Sequence, residues 1–149
     1  MKPTLLILED GEEYLRFFSR HVTDYGYLQA HSHAEAVILL ADADVAAFVL
    51  DLRFDRVDRA DLIGDPEEVA SQMFGGPEDL ESAWRYIIDH QGYLILKALR
   101  EAGHAQPALI IAELPPRQQD NLRRLYGAIG VVPSFEPGAI TSALAGLLG

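Results

Sequence analysis

The chain has 149 residues, 49% of them apolar, and a formal net charge of −11 from 12 Lys and Arg against 23 Asp and Glu. That length fits one domain, residues 1–149, with a sizeable core, and the acidic balance opposes the phosphate neutralisation that direct nucleic-acid binding requires. The absence of cysteine removes disulfide frameworks, thiolate metal sites and cysteine nucleophiles, while no apolar run approaches the roughly 18 residues of a spanning helix.

Met1-Lys2-Pro3-Thr4 leads straight into a predicted strand rather than a signal peptide, so a cytoplasmic protein is expected. Leu5 to Leu8 is a short continuous apolar run, as expected of a strand covered on both faces. From Glu12 to Tyr25, Leu15, Phe18 and Val22 recur at helical spacing, with Gly26 suited to a C-terminal cap. Tyr27 to Ala30 is a weak strand. Ser32-His33-Ala34-Glu35 has the spacing of a capping box and opens a helix to about Leu40. Val45 to Leu50 is the second strong buried strand.

The alternation resumes later in the chain. A helix from Gln91 or earlier to Ala102, a strand Ala108 to Ala112, a helix Arg117 to Tyr126, a strand Gly130 to Val132 and a helix Gly138 to Leu148 are punctuated by Pro107, Pro133 and Pro137. Five strands and five helices in alternation predict an α/β fold with a doubly wound parallel sheet.

One segment, at about 55–90, breaks the rhythm. It carries ten acids against three arginines, Arg56, Arg59 and Arg85. Asp65-Pro66-Glu67-Glu68 and Gly76-Pro77-Glu78-Asp79 each place Pro at a first helical position followed by acids, which favours two helix starts. From Pro77, Leu80, Trp84, Ile87, Ile88, Gln91 and Ile95 form one face of a long helix running to Ala102, which Gly92 weakens by about 1 kcal/mol relative to Ala.

Two strands end in acid. Leu8 runs into Glu9-Asp10 and Leu50 into Asp51, followed by Leu52 and Arg53. In an open parallel sheet the carboxyl ends of neighbouring strands line the ligand crevice, so these acids can meet across roughly 40 residues of chain. Three carboxylates together repel unless a cation sits among them, which points to a hard divalent metal, Mg²⁺ first.

Leu6-Ile7-Leu8-Glu9-Asp10, Val49-Leu50-Asp51-Leu52, Gly92 to Gly103 and Pro107-Ala108-Leu109-Ile110-Ile111 come in the order and at the spacing of the receiver domain of two-component response regulators, which this chain resembles. The resemblance implies a flavodoxin-like sheet of five strands in the order 2-1-3-4-5, with the acidic helical segment at about 55–90 as an insertion between the third strand and the third helix. It implies Mg²⁺ held by Glu9, Asp10, Asp51 and the backbone carbonyl of Arg53, and Asp51 as phosphoacceptor in a phosphorelay. It implies a histidine kinase or a downstream effector as partner, with a second copy of the chain as another, and no catalytic turnover.

Two positions depart from the family. The hydroxyl residue that ends the fourth strand in receivers is here Ala112, and the lysine after the fifth strand is missing from Val131-Val132-Pro133-Ser134. The only lysines are Lys2 and Lys97. Losing both removes the groups that clamp and report a phosphoryl group, so the chain reads as an atypical receiver with a retained acidic pocket. Two roles stay open for Arg53, as a guanidinium partner of the acids in place of metal or as a solvent-facing side chain.

A Mg²⁺-dependent phosphoryl-transfer or phosphohydrolase enzyme on the same sheet is the alternative, although Asp51-Leu52-Arg53 lacks a second acid at Asp-x-Asp spacing. No Gly-rich phosphate loop, dinucleotide fingerprint or serine elbow occurs. His31 and His33 have the spacing of a metal pair without a third ligand. Met73, Phe74, Trp84 and Tyr86 are either local packing or an apolar patch for a partner. Arg117, Arg123 and Arg124 make a basic helix face.

Overall fold

In the computed structural model, which describes residues 1–76 and 78–149, five strands form a parallel sheet. They are β1 (Thr4–Leu8), β2 (Gly26–Ala30), β3 (Ala47–Leu50), β4 (Ala108–Ile111) and β5 (Ile129–Val132), in the spatial order β2-β1-β3-β4-β5. The helices are α1 (Glu13–His21), α2 (His33–Asp42), α3 (Pro66–Met73), α4 (Leu80–Asp89), α5 (Gln91–Glu101), α6 (Pro116–Tyr126) and α7 (Pro137–Leu148), with a 3-10 turn at Arg59–Asp61.

The strands alternate their side chains between two cores, as a sheet covered on both faces requires. Leu6, Leu8, Phe48, Leu50, Ala108 and Ile110 point to one side and pack with Ile95, Leu96 and Leu99 of α5. Leu5, Ile7, Ala47, Val49, Leu109 and Ile111 point to the other and meet Phe18 of α1 and Ile140 and Leu144 of α7. Leu5 through Leu8 are wholly buried, and each such side chain contributes about 1.5–3 kcal/mol through burial. β1 is an interior strand flanked by β2 and β3, and β3, whose four residues are equally buried, is the middle strand of the sheet.

Several predicted boundaries move. The first helix ends at His21, not Tyr25: Val22 leaves the helical region at φ −125° and ψ 83° while its N–H still donates to Phe18 O. Gly26 consequently opens β2 instead of capping α1, and its N–H donates to Pro3 O at 2.9 Å. The strand expected from Val45 starts at Ala47. At α2, Ser32 Oγ accepts the Glu35 N–H as predicted, but the Glu35 carboxylate accepts the N–H of His31 rather than of Ser32.

The expected continuous helix from Pro77 to Ala102 is broken at His90, whose φ and ψ are −118° and 14°. The break redirects the chain so that Gln91 and Gly92 meet the segment after β3. Gly92 lies against the Asp51–Leu52 backbone: its N–H donates to Leu52 O at 3.0 Å, and a Cβ there would overlap Asp51 O and stand 2.9 Å from Leu52 Cα. Gln91 is fully buried and pairs with both the N–H and the carbonyl of Ile63, each at 2.9 Å. Asp65 caps α3 by accepting the N–H groups of Glu67 and Glu68, with Pro66 at the first turn as predicted. The second predicted Pro start, at Pro77, lies outside the described residues, and α4 itself begins at Leu80.

Candidate functional site

Parallel register sets Leu8 level with Ala30 and Leu50, and Leu50 level with Ile110. The next residues therefore leave the sheet along a common edge. Glu9 N–H still donates to Ala30 O at 3.2 Å and Asp51 N–H to Leu8 O at 2.9 Å, so the ladder holds both acidic positions at that edge. This is the crevice where open α/β sheets bind ligands.

Glu9 and Asp10 are buried, their side chains only 2% and 1% exposed. Glu9 Oε1 accepts the N–H of Tyr14 at 2.9 Å, satisfying one of the free donors at the start of α1. Asp10 faces the segment that follows β3. Its Oδ2 accepts the backbone N–H groups of Asp55 at 2.9 Å and Arg56 at 2.8 Å, and its Oδ1 lies 3.3 Å from a terminal nitrogen of the Arg56 guanidinium.

Arg56 is the hub of the cluster. Its two terminal nitrogens donate to the Glu13 carboxylate at 2.6 and 3.0 Å, and one of them also lies 3.9 Å from Glu9 Oε2. Such two-pronged contacts are the stronger kind of ion pair. Phe54, fully buried two residues earlier, anchors the approach, and its N–H donates to Ile88 O at 3.0 Å.

Charge and burial pull the acids apart. Burial, with the neighbouring Glu13 and Asp51 charges adding to it, pushes Glu9 up to about 7 against the pull of the Tyr14 N–H. Glu13, held chiefly by Arg56, is lowered to about 2. Asp51 is pushed up to about 6, first by burial and then by the Asp10 charge, while the N–H groups of Arg53 and Leu52 oppose the rise. Arg56 is raised by its bonds to Glu13 and Asp10, which secures its positive charge.

Arg53 does not take the guanidinium role open to it in the sequence. Its Nε lies 3.3 Å from Asp55 and 3.4 Å from Asp89, and the side chain is 65% exposed. Its backbone N–H turns to the site, donating to Asp51 Oδ1 at 3.4 Å. The arginine that meets the acids is Arg56, with Glu13, and neither stood out in the sequence as a site residue. The available signal was the pair Phe54 and Arg56, an apolar anchor and a cation just past the acid-tipped strand.

The arrangement does not fit a divalent ion. Both Asp10 oxygens are engaged, Glu9 Oε1 is committed to Tyr14, and a cation already stands against Glu9, Asp10 and Glu13. Among the described residues no three acidic or histidine side chains are gathered closely enough to hold a metal ion. The neighbouring strand ends are apolar: Ala112, Leu114, Pro115, Val131 and Pro133 line an open groove of about 510 Å³ together with Glu113 and Gln119.

The weaker sequence signals resolve into local contacts. The His31 ring lies 3.3 Å from both Glu12 and Glu35. Trp84 lies under Arg59, whose guanidinium carbon is 4.9 Å from the ring centre, and Tyr86 stacks on His90 at 4.0 Å. Met73 and Phe74 remain exposed at 52% and 38%. Among the described residues no helix is long and apolar enough to cross a membrane.

No protein-family model matches the sequence, and no curated protein matches it. Solved structures do. The signal receiver domain of a LuxO repressor protein from Vibrio parahaemolyticus has a TM-score of 0.65 at 12% identity, over 99% of this chain and 91% of the other. The chemotaxis protein CheY4 of Vibrio cholerae has a TM-score of 0.64 at 14% identity, over 99% of both chains. A CheY-like receiver domain from Methanospirillum hungatei gives 0.63 at 9% identity, over 99% and 94%. The chain has the flavodoxin-like fold of response regulator receiver domains.

Proposed function

We propose that this chain, built on the receiver fold, is a signal-transduction module that acts by docking to other proteins, with the helical segment at about 55–90 as an addition to the receiver plan. A histidine kinase or downstream effector is the partner class, with a second copy of the chain as the other. The observation that carries this reading is the pairing of an acid-lined crevice with apolar neighbouring strand ends. Glu9, Asp10 and Asp51 share the sheet edge, while Ala112 and Val132-Pro133 offer neither hydroxyl nor ammonium to a phosphoryl group.

A phosphoaspartate is stabilised by positioned donors and cations, and a receiver without them does not convert phosphorylation into a change of shape. Asp51 is accordingly a pocket acid here rather than an efficient phosphoacceptor. Mg²⁺, which Glu9, Asp10, Asp51 and the Arg53 carbonyl would hold by resemblance, is not part of the resting state, because Arg56 neutralises the acids from within. A docking module of this kind works without turnover, in the cytoplasm.

Treatment with millimolar Mg²⁺ and either beryllofluoride or acetyl phosphate, followed by intact-mass analysis and fluorine NMR, tests it. No stoichiometric adduct is expected. An adduct that disappears in Asp51→Asn would restore the phosphorylation switch and refute the proposal. Hydrolysis of a generic phosphomonoester, abolished by Asp10→Ala, would move the protein to the enzyme class.

A further inference from the structure

The acid pocket needs a cation, and the chain supplies one of its own. We infer that Arg56 is the resident cation of the Glu9–Asp10–Glu13 pocket, a tethered guanidinium that excludes divalent ions and latches the 54–63 segment over the sheet edge. This deepens the proposed function by assigning the regulation of the same pocket, and it rests on that reading only for its biological use.

Four observations converge on it. Asp10, with a side chain 1% exposed, spends both oxygens on Asp55 and Arg56, so burial of its charge depends on this segment being in place. The Glu13 carboxylate takes the same guanidinium on two nitrogens, which fixes its orientation as a single ammonium contact would not. Gly11 makes the room, because a Cβ there would overlap the guanidinium and the Glu13 carboxylate. The far end of the segment is fastened separately, by the buried Gln91 amide on Ile63.

The consequence is a competition. A divalent ion coordinated by Glu9 and Asp10 must take oxygens that now hold Arg56 and the backbone of 55 and 56, so it binds only as the strap leaves. Phe54 and its bond to Ile88 tie that strap to α4. Occupancy of the pocket by a metal and docking of the strap are therefore mutually exclusive, and each opposes the other by the same factor.

Mn²⁺, a paramagnetic stand-in for Mg²⁺, provides the test. Its free concentration is followed by electron paramagnetic resonance in the presence of the full chain, comparing wild type with Arg56→Ala, Arg56→Lys, Gly11→Ala and Arg56→Ala/Asp10→Asn. Wild type is expected to bind without saturation through the low millimolar range, and Arg56→Lys, which keeps the charge but not the two-nitrogen fork, to fall between wild type and Arg56→Ala. Arg56→Ala is expected to bind one equivalent at least about tenfold more tightly, a difference that the Asp10→Asn addition abolishes. Gly11→Ala changes no charge and is expected to shift binding in the same direction by crowding Arg56 out.

Wild type binding one equivalent as tightly as Arg56→Ala would overturn the inference, as would Arg56→Ala binding no better than wild type. Hydrogen exchange on the wild-type chain keeps the question decidable should a variant fold poorly. Protection of the Asp55 and Arg56 amides is expected to be unchanged through the millimolar Mg²⁺ range and to fall only in step with metal bound, so metal binding with that protection intact would refute exclusion. Metal binding without a phosphoryl adduct would sink this inference and leave the docking role standing, and an adduct at Asp51 formed with no metal bound in the pocket would sink the functional proposal and leave this inference standing.

Discussion

Asp51→Asn tests whether the pocket acid is held at a cost. Burial first, and the Asp10 charge after it, raise the Asp51 carboxyl from its ordinary 3.8 to about 6. The folded state therefore binds this proton more tightly than the unfolded chain does. The protonated form's advantage is fully present below about pH 4 and is lost as pH rises through about 6. A shift of that size corresponds to about 3 kcal/mol at the most, and solvent access to the carboxylate reduces it to about 1–2 kcal/mol. Asn keeps an oxygen to accept the Arg53 N–H and carries no charge. Relief of the Asp51 charge also eases Glu9, which it helps to raise, so both effects have one sign. Urea unfolding of the two proteins from pH 4 to 8 should give equal stabilities at the acid end and an Asn advantage of about 1–2 kcal/mol at pH 7 and above, or roughly 3–6 °C in Tm. An advantage independent of pH, or a less stable Asn variant at pH 7, would refute the electrostatic account.

Gly92→Ala sets helix propensity against close packing. Alanine gains about 1 kcal/mol inside a helix, but its Cβ would overlap Asp51 O and crowd Leu52 Cα, and overpacking of this kind costs about 1–3 kcal/mol or more; chemical denaturation should show a net loss. Gln91→Leu leaves the N–H and carbonyl of Ile63 without their side-chain partner. Stability should fall by about 2–3 kcal/mol, with accelerated hydrogen exchange at Ile63.

The layered plan was legible because it is written in local pattern. Leu5–Leu8 and the run ending at Leu50 are continuous apolar stretches, and the alternation of strands with helices fixes crossovers to both faces. Acids directly after two such strands had to share an edge. The boundaries that moved are those set by contacts distant in sequence. Gly26 has the right identity for a helix cap, yet its N–H is taken by Pro3 in the neighbouring strand connection. The apolar stripe from Leu80 to Ile95 has helical spacing throughout, but spacing carries no information about Gln91 reaching Ile63 or Gly92 touching Asp51. A glycine that looked like a weak point in a long helix is the point of closest backbone approach.

The cation of the pocket was hidden by averaging. Taken as composition, the segment after β3 is the most acidic part of an acidic chain and the last place to seek a counter-charge for Glu9 and Asp10. Charge acts over a few ångströms, however, and Arg56 is delivered by Phe54, whose burial drives the chain back to the sheet edge. The same geometry makes the acids and the strap depend on each other. Asp10 without Arg56 is a buried carboxylate lacking its counter-ion, and the strap without Asp10 loses its acceptor for two backbone N–H groups. Phe54 N–H bonds Ile88 and Gln91 bonds Ile63, so the segment that carries Arg56 is fastened to α4 and to the start of α5. The acids and the surface of α4 are thus joined through one short strap.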